Sequence, residues 1–65
     1  MQSKRILRLP QVQARTGLSR SSIYLRITER SFPRSIPLGA RAVGWLENEV
    51  DDWVSNLVEQ SRKSV

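Results

Sequence analysis

The tightest constraint in this chain is a break of three residues, Gly17-Leu18-Ser19, set between two short runs of helical character, VQART and RSSIYLRIT. A glycine at that place can take the left-handed backbone conformation that ends a helix without a Cβ clash. Ser19, two residues on, carries the short hydroxyl that caps the free N–H groups of a new helix. With so little chain between them, the two helices must cross at a sharp angle. Leu18 then falls in the corner, Val12 and Thr16 share one face of the first helix, and Ile23 and Ile27, four apart, form the inner seam of the second. This is the helix-turn-helix pattern, a unit whose second helix enters the major groove of DNA in known cases.

Size limits what can be built around that unit. A chain of 65 residues has room for one domain, and such a domain buries only about 60% of its unfolded surface, which leaves a thin core and little space for a pocket. The chain has no cysteine and no histidine. Disulfide and thiolate-zinc staples are thereby excluded, and the commonest general base and metal ligand is missing. No apolar run nears the roughly 20 residues of a membrane span, and MQSKRILRLP lacks the long apolar segment of a signal peptide. A cytoplasmic binding module, nucleoid-associated when bound, with no cofactor and no membrane contact, fits these limits better than an enzyme.

Charge points to an anionic partner. The net charge is +5 and the isoelectric point is near 11.2, but the distribution says more than the sum. From Lys4 to Arg41 every charged residue except Glu29 is basic; beyond that Glu47, Glu49, Asp51, Asp52 and Glu59 face only Arg62 and Lys63. A charge run is commonly just a solvated face. Here the change of sign falls at a motif boundary, as expected of a domain that presents one side to nucleic acid.

Taken in order, residues 1–5 read as a flexible basic arm, residues 6–61 as a single winged domain and 62–65 as a tail. Ile6 to Arg8 suits a short strand, and Pro10 opens a first helix that runs to Thr16, since the first turn of a helix has no use for the missing N–H. Leu9 and Val12 are the only large apolar residues of this helix, with Gln13 expected at the rim, so packing rather than propensity must hold it.

The second helix is expected over Arg20 to Glu29. At about 100° per residue, turning Ile23 and Ile27 inward leaves Ser21, Tyr24, Leu25 and Thr28 outward, with Arg20 and Arg26 beside the seam. Such a face suits base edges: hydroxyls bond to base or phosphate, arginine grips guanine with two bonds, and Leu25 or the Thr28 methyl meets a thymine methyl. Arg20 stands at the helix N-terminus among Ser19, Ser21 and Ser22, which suits a DNA contact; an ordinary solvated face, with Tyr24 partly packed on the next segment, is the plainer alternative.

Pro33 and Pro37 forbid further helix, and the alternation Ile36, Leu38, then Val43, Trp45 gives two short half-buried strands around a turn at Gly39 to Arg41. Pro37 cannot donate to a ladder, so its strand belongs at an edge. A hairpin at this place is a wing spanning 36–45, with Arg41 at its tip and Arg34 at its base set to touch the phosphate backbone or a minor groove. The last segment reads as an amphipathic helix that lids the core with Leu46, Val50, Trp53, Val54, Leu57 and Val58. Its acids come first and its bases last, which suits the helix dipole. Without histidine or a calcium-type loop the acids do not make a metal site, and they turn this helix away from DNA. Trp45 and Trp53 are expected in the core.

The order of these parts resembles the AlpA family of prophage regulators, small proteins related to MerR-like and excisionase winged helix-turn-helix domains. The resemblance covers residues 5–58 and rests on RILRLPQVQARTGLSRSSIYLRI, Phe32-Pro33, LGARAVGW and LENEVDDW in that order. It implies a mainly α fold with a small β-hairpin wing, three helices plus short strands, and a DNA-binding regulator of phage or mobile-element genes that often promotes excision. It also implies that Ser19 to Thr28 is the recognition helix and that Arg41 belongs to the wing. Two positions depart from the family pattern. Arg30 stands where glycine is common, which predicts a left-handed residue with a Cβ, and Pro37 stands where a basic residue is frequent.

The expected partner is double-stranded DNA, bound by two or more copies as a homodimer or a cooperative assembly, since so small a reading head specifies little alone. Two further roles compete with transcriptional control. An excisionase would bend attachment-site DNA and recruit integrase, and an adaptor would use Leu57 and Val58 to bind RNA polymerase or a recombinase. Tyr24 is the residue type of a strand-transfer nucleophile, but neither a general base nor a pocket-sized core accompanies it.

Overall fold

In the computed structural model, which describes residues 4–63, the elements are β1 (Ile6–Leu7), α1 (Leu9–Thr16), α2 (Arg20–Thr28), β2 (Ile36–Pro37), β3 (Val43–Leu46) and α3 (Glu47–Lys63). The fold is mainly helical with one small antiparallel sheet, the architecture expected of a winged helix-turn-helix. Residues 1–3 of the expected arm and residues 64–65 of the expected tail lie outside the described part.

Helix α1 begins one residue before the proline. Arg8 precedes it in extended conformation, and its N–H donates to Gln11 Oε1 at 2.9 Å, which satisfies a donor at the helix start. Gly17 ends it with φ 72°, its N–H donating to the Gln13 carbonyl at 2.8 Å. That is the left-handed stop expected of glycine. The Thr16 hydroxyl donates back to the Val12 carbonyl at 2.8 Å and accepts from the Leu18 N–H at 3.2 Å, so the corner between the helices is bonded on both sides. Ser19 caps α2, its Oγ accepting from the Ser22 N–H at 3.2 Å.

The end of α2 is one residue earlier than the sequence predicts. Glu29 closes the helix, and Arg30 beyond it has φ 62°. Its N–H donates to the Ile27 carbonyl at 3.0 Å and the next N–H, of Ser31, reaches back to the Arg26 carbonyl at 2.8 Å. This pair of bonds is the Schellman arrangement, with arginine in the position that favours glycine.

Strand β3 is the centre of the sheet, in the order β1-β3-β2. Ile36 and Pro37 pair with Gly44 and Val43, while Ile6 and Leu7 pair with Leu46 and Trp45. Pro37 thus sits on an edge strand, where its missing N–H costs no ladder bond. The strand at residues 36–38 is shorter than expected: Leu38 closes the loop instead, its N–H donating to the Ala42 carbonyl at 2.7 Å. Gly44 leaves no room for a side chain, because a Cβ there would meet Ile6 Cγ2 and come within 3.1 Å of the Leu7 carbonyl oxygen.

The core is Leu7, Val12, Ile23, Phe32, Trp45 and Val50, one residue from each element except β2 plus one from the loop after α2; Leu9, Leu18, Ile27 and Trp53 pack around it. The expected lid is corrected in two respects. Leu46 belongs to β3, not to the helix. Burial along α3 also stops early: Val50 is fully buried and Trp53 and Val54 half-buried, whereas Leu57 is 46% and Val58 44% exposed. The apolar pattern runs on, but the body beneath it ends. Helix α3 continues through Lys63. Among the described residues no helix is long and apolar enough to cross a membrane.

Candidate nucleic-acid interface

The outward face of α2 is built on two buried supports. Ile23 holds the helix to the core with no exposed surface. Trp45, equally buried, donates its indole N–H to the Pro33 carbonyl at 3.1 Å and meets the Tyr24 ring edge-on, centroids 6.3 Å apart. Tyr24 in turn lies under the Arg20 guanidinium, 5.8 Å from ring centre to Cζ. A ring over which a cation rests restricts that cation to fewer directions. Arg20 is therefore braced through Tyr24 to the core, although both side chains are exposed. Tyr24 is 37% exposed, between the packed and the reading roles that the sequence leaves open for it.

The remaining residues of this face divide by what their polar atoms already do. The Ser19 hydroxyl accepts from the Ser22 backbone and donates to Ser22 Oγ at 3.1 Å, so these two serines build the helix start. Ser21 is exposed and its hydroxyl makes no hydrogen bond among the described residues. The Thr28 hydroxyl donates to the Tyr24 carbonyl at 3.0 Å, which leaves its methyl group and oxygen lone pairs facing out. Leu25, at 59% exposure, is an apolar knob in the middle of the face. No acid stands in the first turn of α2. The partial positive charge of the helix start is thus unopposed and adds to that of Arg20.

Arg26 lies beside the buried seam, as expected, on the side of α3. It is half-buried, with its guanidinium 5.8 Å over the Trp53 ring, and serves the junction of α2 with α3. Trp53 also donates its indole N–H to the Ser31 carbonyl and packs edge-on against Phe32 at 4.9 Å. Arg34 is exposed on the connection to β2, and Arg41 is exposed at the wing tip. The candidate residues thus fall into three groups: one helix face, the connection at Arg34, and the loop at Arg41.

Two cations of the basic half are engaged elsewhere. Arg15 donates to Glu47 Oε2 at 2.6 Å and to Asp51 Oδ1 at 3.0 Å, and Arg5 lies 3.9 Å from Glu47. The hydrogen bond to Glu47, then that to Asp51, holds the Arg15 guanidinium above its ordinary pKa, so it stays charged throughout the working range. These ion pairs tie α1 and the start of β1 to the first turns of α3. Sequence reasoning counted Arg15 and Arg5 as surface charge, because Arg15 finds its partners 32 and 36 residues away and Arg5 shares the distant Glu47, which leaves no local signal.

Comparison with known proteins gives a consistent picture. Residues 5–58 match the family described as Prophage CP4-57 regulatory protein (AlpA). The chain is 44% identical over 57 residues to the "DNA-binding transcriptional activator AlpA" of Escherichia coli (strain K12), covering 78% of this chain and 81% of that protein. It is 42% identical over 55 residues to the "Uncharacterized protein ORF88" of Enterobacteria phage P4, covering 85% of this chain and 62% of that one. No solved structure gives a significant match.

Proposed function

Since the chain belongs to the AlpA family of prophage regulatory proteins, we propose that it is a sequence-specific DNA-binding regulator of transcription, acting on prophage or mobile-element genes, with no catalytic step. In this reading α2 lies in the major groove, and Arg20, Ser21, Leu25 and Thr28 face base edges. Ser19 and Ser22 present the helix start to a phosphate, Tyr24 steadies Arg20, and Arg34 and Arg41 follow the backbone or an adjacent minor groove. The observation that carries the reading is the exposed, acid-free face of α2, held from behind by Ile23 and Trp45.

Salt dependence tests it. With about six phosphates neutralised, log affinity for duplex DNA falls against log salt with a slope of about −5. A slope near zero in a gel-shift or anisotropy titration would defeat the reading. Footprinting on DNA around the gene separates the two roles the fold serves: protection over a promoter marks a transcriptional regulator, and protection over an attachment site marks an excisionase that recruits integrase. The exposed Leu57 and Val58 support a protein contact as well, with RNA polymerase or integrase as the partner if the chain acts as an adaptor; that contact survives nuclease and high salt, whereas one bridged by DNA does not.

A further inference from the structure

Between Lys4 and Arg41 a single acid stands among the cations, Glu29. It closes α2 in right-handed conformation, with φ −80° and ψ −1°, so its side chain continues the rotation of the helix. Four residues after Leu25, it lies about 40° around the axis from it at 100° per residue, on the side turned away from the buried Ile23. The side chain is exposed, and no ion pair forms at Glu29 among the described residues. The nearest cations in sequence are occupied or turned away: Arg26 lies over the Trp53 ring, and Arg30 leaves the helix in the left-handed conformation.

A free carboxylate is badly placed here on two counts. The end of a helix carries partial negative charge, which an acid opposes. The face that Glu29 extends, with Ser21, Leu25 and Thr28, is also the one turned to a polyanion in the DNA-binding reading, on which this inference rests, and an unpaired negative charge there repels phosphates. Closing the helix does not require it, since the bond at that end is made by the Glu29 backbone N–H, which donates to the Leu25 carbonyl at 3.0 Å. The carboxylate itself can only accept hydrogen bonds. In the major groove guanine shows two acceptors, thymine an acceptor and a methyl group, and adenine an amino group with an acceptor beside it. Cytosine alone offers an amino group with no acceptor next to it on the same base.

We infer that Glu29 is a specificity-determining residue that reads a cytosine, its carboxylate accepting from the N4 amino group one helical turn beyond the base edge that Leu25 meets. Its charge weakens binding to every duplex, and the hydrogen bond offsets that loss only where the cytosine is present. Both effects widen the gap between the right site and all others. Glu29 therefore sets selectivity at the expense of affinity, the opposite of what Arg34 and Arg41 do.

The full chain and its Glu29→Ala and Glu29→Gln variants are titrated by fluorescence anisotropy against three kinds of duplex. These are the one that footprinting protects, a random one, and a set in which each C·G pair of the protected site becomes T·A or A·T. Glu29→Ala is expected to tighten binding to random DNA about twofold to fivefold, as an exposed repulsion is removed. It weakens binding to the protected site, so that the ratio between the two falls about tenfold. In the natural chain one C·G exchange costs about tenfold; in Glu29→Ala the same exchange has no effect, because the contact it removes is already gone. Glu29→Gln, whose amide sets a donor beside the acceptor, brings adenine level with cytosine at that pair. Both variants unfold at or above the temperature of the natural chain, since the acid that opposed the helix dipole is gone, so weaker binding to the protected site does not come from misfolding. Equal tightening on every duplex in Glu29→Ala marks a bystander charge and overturns the assignment while DNA binding stands. A sensitive position at adenine overturns the choice of base, and failure of the natural chain to bind any duplex overturns this inference together with the DNA-binding reading.

Discussion

Arg30→Gly is expected to stabilise this protein although it removes a side chain. Arg30 has φ 62°, in the left-handed region. Placing an L-residue there costs about 1–2 kcal/mol. Glycine avoids that cost but loses more freedom on folding, about 0.5–1 kcal/mol relative to alanine. The two helix-closing bonds, from Arg30 N–H to Ile27 and from Ser31 N–H to Arg26, are made by backbone and survive the change. The Arg30 guanidinium forms no ion pair among the described residues, so little is lost with it. The net gain is about 0.5–1 kcal/mol, which in a domain of this size raises Tm by roughly 2–8 °C. Thermal unfolding followed by circular dichroism at fixed salt measures it. Arg30→Ala is the control, because it removes the same charge and keeps the Cβ, and should gain nothing. A Tm for Arg30→Gly at or below that of the natural chain, or an equal rise in Arg30→Ala, would refute the backbone origin of the effect.

Three further outcomes follow from the packing and the face of α2. Gly44→Ala should cost about 1–3 kcal/mol, and Ile6→Ala should recover part of it, because a new Cβ at position 44 meets Ile6 Cγ2; unfolding curves of the single and double variants decide this. Tyr24→Leu should lower discrimination between cognate and random DNA about tenfold, Tyr24→Phe should not, and Tyr24→Leu should have little further effect in an Arg20→Ala background, since residues that act through one contact are not additive; additive losses in binding titrations would remove the brace from the account. Arg20→Ala and Ser21→Ala should erode discrimination, with Arg20→Ala costing about 1–3 kcal/mol at its base pair, while Arg41→Ala weakens binding to all sequences and flattens the salt slope by about one. Equal losses on both kinds of DNA for all three variants would end that division of labour.

What could be read from the sequence was what neighbouring residues decide. Gly17, Ser19 and Pro10 act within a few residues, and the elements they bound came out within a residue or so of expectation. The left-handed Arg30 was legible only through the family resemblance, in which glycine is common at that place. Features that depend on distant partners were not legible. The short strand at Ile6 was expected, but its pairing with β3, which joins Ile6 to Leu46, has no local signal. Arg15 looked like any other surface cation until Glu47 and Asp51 were brought to it. Burial of α3 failed for a related reason: periodicity locates an apolar face but not how far the body beneath it extends. Leu57 and Val58 fit the pattern of Val50 and Trp53 and still protrude.

Strand β3 ends at Leu46 and α3 begins at Glu47, so the wing and the long helix share one stretch of backbone with no linker between them. The Glu47 N–H donates to the Arg5 carbonyl at 2.8 Å across that joint, and Glu47 also receives Arg15. A rigid elbow of this kind works as a lever. A small rotation of the hairpin would become a sideways swing of several ångströms at the far tip of a rod of 17 residues, about 25 Å long. Inserting two glycines at the joint would let either arm keep its own contacts while silencing the other's response to them.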